Sequence, residues 1–328
     1  MELTNREMNA QSNNPNEKTK STVLSAKKKK LIFYIIMVAP LILQVAVFYV
    51  YVNFNNIIMA FNVYTQPDSL KPVVASFAGF QNFKFILDYL FAPENVGMFG
   101  TTFMMYAILL LVAMPIGMIF SFYIYKKCLG SEFFRVVLFL PQVISAVTMT
   151  TIYKTLVWDG AQILFGVTGG LLKGYGAVGT LATIIFYSLW MGFGANILLY
   201  CGAMSGINDS VVEACHLDGC NVIQEFIHIT IPSIYPTIVT FVIIDITSIF
   251  LNQMHLYTFF GKQSLPNGIQ GSIGYLIVYK TANASILGGG ESWTYAQLSA
   301  LGVLISAFTI PVSLIVKKVM EKLGPSEN

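Results

Sequence analysis

Long apolar runs alternate with polar stretches along this chain, and the apolar runs fall at 31–51, 102–125, 136–157, 178–203, 234–257 and 296–316. Each is long enough to cross the roughly 30 Å of hydrocarbon in a bilayer as a helix. The pattern therefore predicts an all-α polytopic membrane protein with six transmembrane helices. Pro40 falls inside the first run, and Pro115 and Gly117 inside the second. Such residues are tolerated in a span where neighbouring helices satisfy the freed backbone groups. Residues 1–26 are rich in Asn, Ser, Thr, Lys and Glu. They cannot bury a core, so a disordered tail is expected over 1–30. A membrane domain at 31–316 and a short tail at 317–328 complete the expected organisation. The apolar run after Lys30 lacks a small-residue cleavage site, which argues for a retained span and against a removed leader.

Composition agrees with the pattern: 55% of residues are apolar and only 11% are charged, with a mean hydropathy of +0.67. A soluble chain carries about a quarter charged residues. The formal charge of +3 is too small to suggest a nucleic-acid partner. Lys27–Lys30, Lys126, Lys127, Arg135, Lys317, Lys318 and Lys322 fall on one side of the membrane if the spans alternate. By the positive-inside rule that side is the cytoplasm, with both termini, in a plasma membrane. Arg135 is read as an interfacial anchor. The cysteines, Cys128, Cys201, Cys215 and Cys220, then lie at or near the cytoplasmic face. A reducing compartment argues against disulfides among them. Cys215, His216 and Cys220 match no common zinc spacing, so no metal site is expected.

The fourth and fifth runs are separated by a polar island at 204–232 holding Glu213, Asp218 and Glu225. Asn208, Asp209 and Ser210 can cap an exposed helix there. Glu213 sits near the positive end of its dipole, and Gly219 can break it. The order Glu213-Ala214-Cys215-His216-Leu217-Asp218-Gly219-Cys220, followed by Phe226, Ile229 and Pro232, resembles the signature loop of membrane subunits of ABC importers. Cysteines replace the usual alanines at 215 and 220. Trp190-x-Gly192-x-Gly194-x-Asn196 also resembles that family, and the segment from Phe77 to Phe83 resembles its carbohydrate-type branch, similar to maltose and glycerol-phosphate permeases. A Thr-Gly-Gly-Pro element common there is incomplete here, where Thr258 precedes Phe259, Phe260 and Gly261.

The resemblance implies an ABC type I importer permease fold. It also implies an ATPase-coupling role for Glu213, Ala214, Asp218, Gly219 and Pro232. Implied partners are a second permease subunit in a heterodimer, a cytoplasmic ATPase dimer, an extracytoplasmic solute-binding protein, membrane lipid and a sugar. No phosphate-binding Gly-x-x-x-x-Gly-Lys-Ser/Thr motif occurs. This chain is thus expected to be no enzyme and to hold no cofactor, with ATP and magnesium bound by the partner ATPase. No catalytic residue is expected.

Asp245, Ser248, Asn252 and His255 fall on one face if 234–257 is one helix. Trp190 and Asn196 are costly in lipid. These six are candidates for a substrate pathway. The stripe at 245–255 fits either a cavity lining that hydrogen-bonds a polar solute or a network holding helices together. A secondary transporter using Asp245 as an ion or proton site is the alternative function, although no internal repeat supports it. The glycine-rich stretch at 158–177 reads as a flexible loop, as do the turns at 266–268 and 288–290.

Overall fold

A computed structural model describes residues 15–66, 72–166, 176–261, 265, 269–288 and 292–325. Gly169, Gly170, Gly174, the 266–268 turn, Gly289 and Gly290 lie outside the described residues. The chain divides into two compact units, Met1–Ile58 and Met59–Asn328.

The first unit is helical over its described part. Helix α1 (Pro15–Gln44) passes through a π-helical turn (Val45–Tyr51) into α2 (Val52–Ala60), which ends just past the division. Regular structure thus starts at Pro15, inside the segment expected to lack it. The apolar run of 31–51 extends within a candidate span of Lys27–Ala60.

The second unit opens with a feature absent from the hydropathy pattern, a two-stranded antiparallel ribbon of β1 (Asn62–Thr65) and β2 (Val74–Phe77). Asn62 pairs with Phe77 and Thr65 with Val74. Gly79, at φ +56°, turns the chain into α3 (Gln81–Leu90). Phe83, Ile86 and Leu90 are buried on one face of α3, while Lys84, Leu87 and Asp88 face outward. Asn82 is buried beside them, and its Nδ2 donates to the carbonyls of Ala60 and Asn62, each at 2.9 Å. The aromatic segment from Phe77 to Phe83 is therefore a strand end, a turn and an anchored amphipathic helix.

The second apolar run forms α4 (Gly97–Tyr125), unbroken. A π-helical turn at Leu109–Ala113 lies just ahead of Pro115 and absorbs the hydrogen bond that proline cannot donate. The third run differs from expectation. It is divided into α5 (Ser131–Val143) and α6 (Ala146–Thr155), which meet at 106°. Pro141 weakens the last turn of α5, and Ile144 is extended at φ −86°, ψ 142°. A short helix, α7 (Ala161–Phe165), precedes the undescribed stretch.

The fourth run is one unbroken helix, α8 (Gly176–Met204). Its Gly194 lies against α5, where an added Cβ would sit 2.8 Å from the Leu138 carbonyl oxygen and 3.0 Å from the Phe139 Cα. Glycine there lets two backbones approach closely. After α8 come the polar helix α9 (Asp209–Leu217) and α10 (Val222–Ser233). A 68° bend then leads into α11 (Tyr235–Ser248). Pro232 and Pro236 flank that bend, and a proline disfavours helical geometry in the residue before it. The fifth span is thus a broken pair, and regular helix stops at Ser248 where one helix to 257 was expected. Short helices α12 (Leu256–Phe260) and α13 (Ile273–Ala282) follow. The chain then enters α14 (Tyr295–Leu323), whose start is fixed by a capping box between Thr294 and Gln297.

Among the described residues, three clusters form the core of this unit. Met114 and Phe122 of α4 pack with Tyr200 and Met204 of α8 and Ile238, Val242 and Ile246 of α11. Met105, Tyr187 and Met191 pack with Met149, Met254, Phe259 and Tyr275. Phe83, Ile86 and Leu90 pack with Leu276, Trp293, Ala300 and Leu301. Elsewhere Phe308, Ile310, Leu314 and Ile315 of α14 stay more than half exposed, as suits a surface facing hydrocarbon.

Candidate functional site

Helix α9 forms where its sequence places a cap. Asn208 is extended, and its Oδ1 accepts from the Ser210 amide at 3.0 Å, with Asp209 in the first turn. The helix closes at Gly219, φ +82°, whose amide donates to the His216 carbonyl at 3.1 Å while that of Cys220 donates to Cys215 at 3.0 Å. This left-handed closure leaves Glu213, Ala214, Asp218 and Gly219 exposed together on or beside one short helix. Leu217 stands among them 88% exposed. Pro232 is not part of that surface. It lies in the last turn of α10 and shapes the bend into α11.

Two features of this loop differ from the sequence reading. Cys215 and Cys220 are joined in a disulfide, where free thiols were expected. The Gly219 turn sets their Cα atoms 5.4 Å apart, inside the range a disulfide spans. Glu225, read in the sequence only as one of three carboxylates in a polar island, is fully buried, its side chain having 0% exposure. Lys126 Nζ donates to its Oε1 at 2.8 Å, and His216 Nε2 lies 3.1 Å from its Oε2. No hydropathy or motif signal links residues ninety-nine positions apart, so this ion pair was illegible in the sequence. Among the described residues no cluster of three or more metal-ligating side chains occurs.

The second site lies among the spans. A cleft of about 450 Å³ is lined by Met105 and Leu109 of α4, Gln142 of α5, Ser188, Met191 and Gly192 of α8, and by Asp245, Asn252 and His255. A smaller recess shares Asp245 and Asn252 and adds Thr102, Tyr106, Ser248 and Ser272. Asp245, Ser248, Asn252 and His255 therefore share adjoining recesses, but no single helical face carries them. Asn252 follows the end of α11, and Met254 and His255 are left-handed at φ +55° and +57°. Backbone of this kind is strained for residues with a Cβ.

The break at 249–255 is held by specific bonds. The Asn252 Oδ1 accepts from the Met254 amide and its carbonyl accepts from Ser272 Oγ, both at 2.9 Å. Gly274 of α13 lies so close that a Cβ would sit 2.5 Å from the Asn252 carbonyl carbon. Gln142 and Ser188 were missed as lining residues because the α5–α6 break, which aims Gln142 toward Met191, has no periodic signature. Its Nε2 donates to the Met191 carbonyl at 2.9 Å. Trp190 and Asn196 do not line either recess. Trp190 stands two positions from both Ser188 and Gly192, about 200° round the helix, which turns it to another face of α8. There its ring lies 6.4 Å from that of Tyr153. Asn196 lies a further turn along the helix and is half-buried.

A bundle of broken and unbroken spans around a polar-lined cleft, with an exposed polar helix between two of them, defines a helical membrane permease subunit. The chain belongs to the family of binding-protein-dependent transport system inner membrane components, whose family model matches residues 73–325. It is 26% identical over 260 residues to the arabinooligosaccharides transport system permease protein AraP of Halalkalibacterium halodurans, covering 76% of each chain. Over 209 residues it is 29% identical to the multiple sugar-binding transport system permease protein MsmF of Streptococcus mutans, covering 62% of this chain and 68% of that one. A chain of a bacterial ABC transporter importing the acidic polysaccharide alginate superposes with a TM-score of 0.67 over 92% of this chain and 99% of that one. The two are 16% identical, so this likeness is one of fold.

Proposed function

We propose that this permease subunit, paired with a second permease, forms the pathway by which a sugar or oligosaccharide enters the cell. An extracytoplasmic binding protein delivers the solute, and ATP hydrolysis on a separate ATPase dimer drives import. The observation that carries the reading is the exposed α9, where Glu213, Ala214, Asp218, Gly219 and Leu217 offer a small capped helix to a cytoplasmic partner. ATP and magnesium bind to that partner. Both termini face the cytoplasm, as the basic residues at 27–30, 126–127 and 317–322 favour.

The cleft beside Asp245, Gln142, Ser188, Asn252 and His255 is the part of the pathway within this chain, since amide, hydroxyl and carboxylate groups suit a polyhydroxylated solute. The reading is further supported by two relatives that carry arabinooligosaccharide and sugar transport in their names.

The test is purification of this subunit from detergent-solubilised native membrane, with the accompanying chains identified by mass spectrometry. A nucleotide-binding ATPase and a second multi-span protein are expected, and the accompanying binding protein defines the solute. Recovery of the chain alone, moving solute into vesicles without ATP, overturns the importer reading and favours a secondary transporter.

A further inference from the structure

Among the described residues, Glu225 is the fully buried acidic side chain, and its two oxygens hold two different elements. Oε1 takes Lys126, the residue directly after α4, and Oε2 takes His216 in the last turn of α9. Glu225 itself stands in the first turn of α10. Three helices therefore meet on one carboxylate. Phe226 adds a ring contact to Phe122 of α4 at 4.9 Å, and the Lys126 ammonium lies 6.0 Å from that same ring. At its other end α4 lines the cleft with Met105 and Leu109. A buried carboxylate left without a partner is costly, so movement of α9 that carries His216 must move Glu225 with it or strain the pair with Lys126.

We propose that Glu225 is a positioning residue that transmits displacement of the α9 docking helix to the cleft-lining helix α4, through His216 on one side and Lys126 on the other. The proposal rests on the importer reading and deepens it. Glu213 and its exposed neighbours receive the partner, whereas the His216–Glu225–Lys126 group, centred on the buried Glu225, passes the movement inward. None of the three belongs to the surface that meets the partner, apart from the half-exposed edge of His216.

The experiment uses the complete transporter, with its second permease, ATPase and binding protein, reconstituted in liposomes. The readout is solute taken up per ATP hydrolysed, which a change in folding or assembly alone leaves unaltered. Glu225→Gln and Lys126→Met are each expected to leave ATP hydrolysis in place and to lower that ratio by about fivefold or more. The double variant should fall no further than either single one, since both remove one link. If Glu225→Gln fails to assemble, His216→Gln decides the question, because it leaves the Glu225–Lys126 pair intact. A lowered ratio supports the relay and an unchanged ratio overturns it. Unchanged ratios in Glu225→Gln and Lys126→Met, with the parent active, overturn the relay alone. A parent complex that moves solute without hydrolysing ATP overturns the importer reading, and the relay with it.

Discussion

Single atoms decide several of the close approaches in this protein. Gly274 stands where any Cβ would lie 2.5 Å from the Asn252 carbonyl carbon and oxygen, both backbone atoms that cannot swing aside. Gly274→Ala is expected to destabilise the fold by about 1–3 kcal/mol, the usual cost of overpacking. Thermal unfolding of the purified protein in detergent would check it, and an unchanged midpoint would contradict the geometry. At Cys215 and Cys220 the prediction is chemical. The exposed Cys128 should alkylate without reductant, while Cys215 and Cys220 should be modified only after reduction. Peptide mass spectrometry with and without reductant reads this directly, and labelling of both without reductant would rule the bond out.

Helix ends and helix breaks do the work at the scale of elements. Helix α10 is started by a capping box in which Asn221 and Gln224 each bond the other's backbone amide at 2.8 Å. Asn221→Ala should weaken that start by about 1 kcal/mol. Faster proteolytic cleavage between 217 and 222 in the folded protein would report the loss, and an unchanged rate would show that the Glu225 ion pair holds the element unaided. The broken pairs α5–α6 and α10–α11 have a different cause, prolines beside each bend. Their prolines were legible in the sequence, yet the bends of 106° and 68° were not. A proline removes one hydrogen bond and crowds the preceding turn, but whether a helix kinks gently or turns a corner depends on what packs into the gap.

At the scale of the whole molecule, the proposed pathway turns on open space. An added Cβ at Gly192 would meet nothing within 4 Å, and this residue lines the large cleft. Gly192→Leu is therefore expected to fill the cleft without disturbing the fold. Uptake by the reconstituted transporter should fall at least about tenfold, while copurification of the partner chains stays the same. Retained uptake would show that the solute passes elsewhere, along the second permease or between the two.

Hydropathy alone determined that this chain is a helical membrane protein and where its apolar runs lie, because the absence of water in a bilayer demands long apolar segments with their backbone bonds satisfied internally. The sequence by itself also determined the polar helix α9, since its cap at Asn208, its left-handed stop at Gly219 and its polar face are all local features. What only the tertiary structure decided lies between elements. The ribbon of β1 and β2, the Cys215–Cys220 bond and the burial of Glu225 against Lys126 each need a partner that hydrophobic periodicity does not name. The cleft belongs with them. Asp245, Ser248, Asn252 and His255 read as one helical stripe, but the chain unwinds after Ser248 and gathers them by folding α13 and α4 against the break. Local sequence sets how a helix begins and ends, and packing between distant segments sets where its side chains meet.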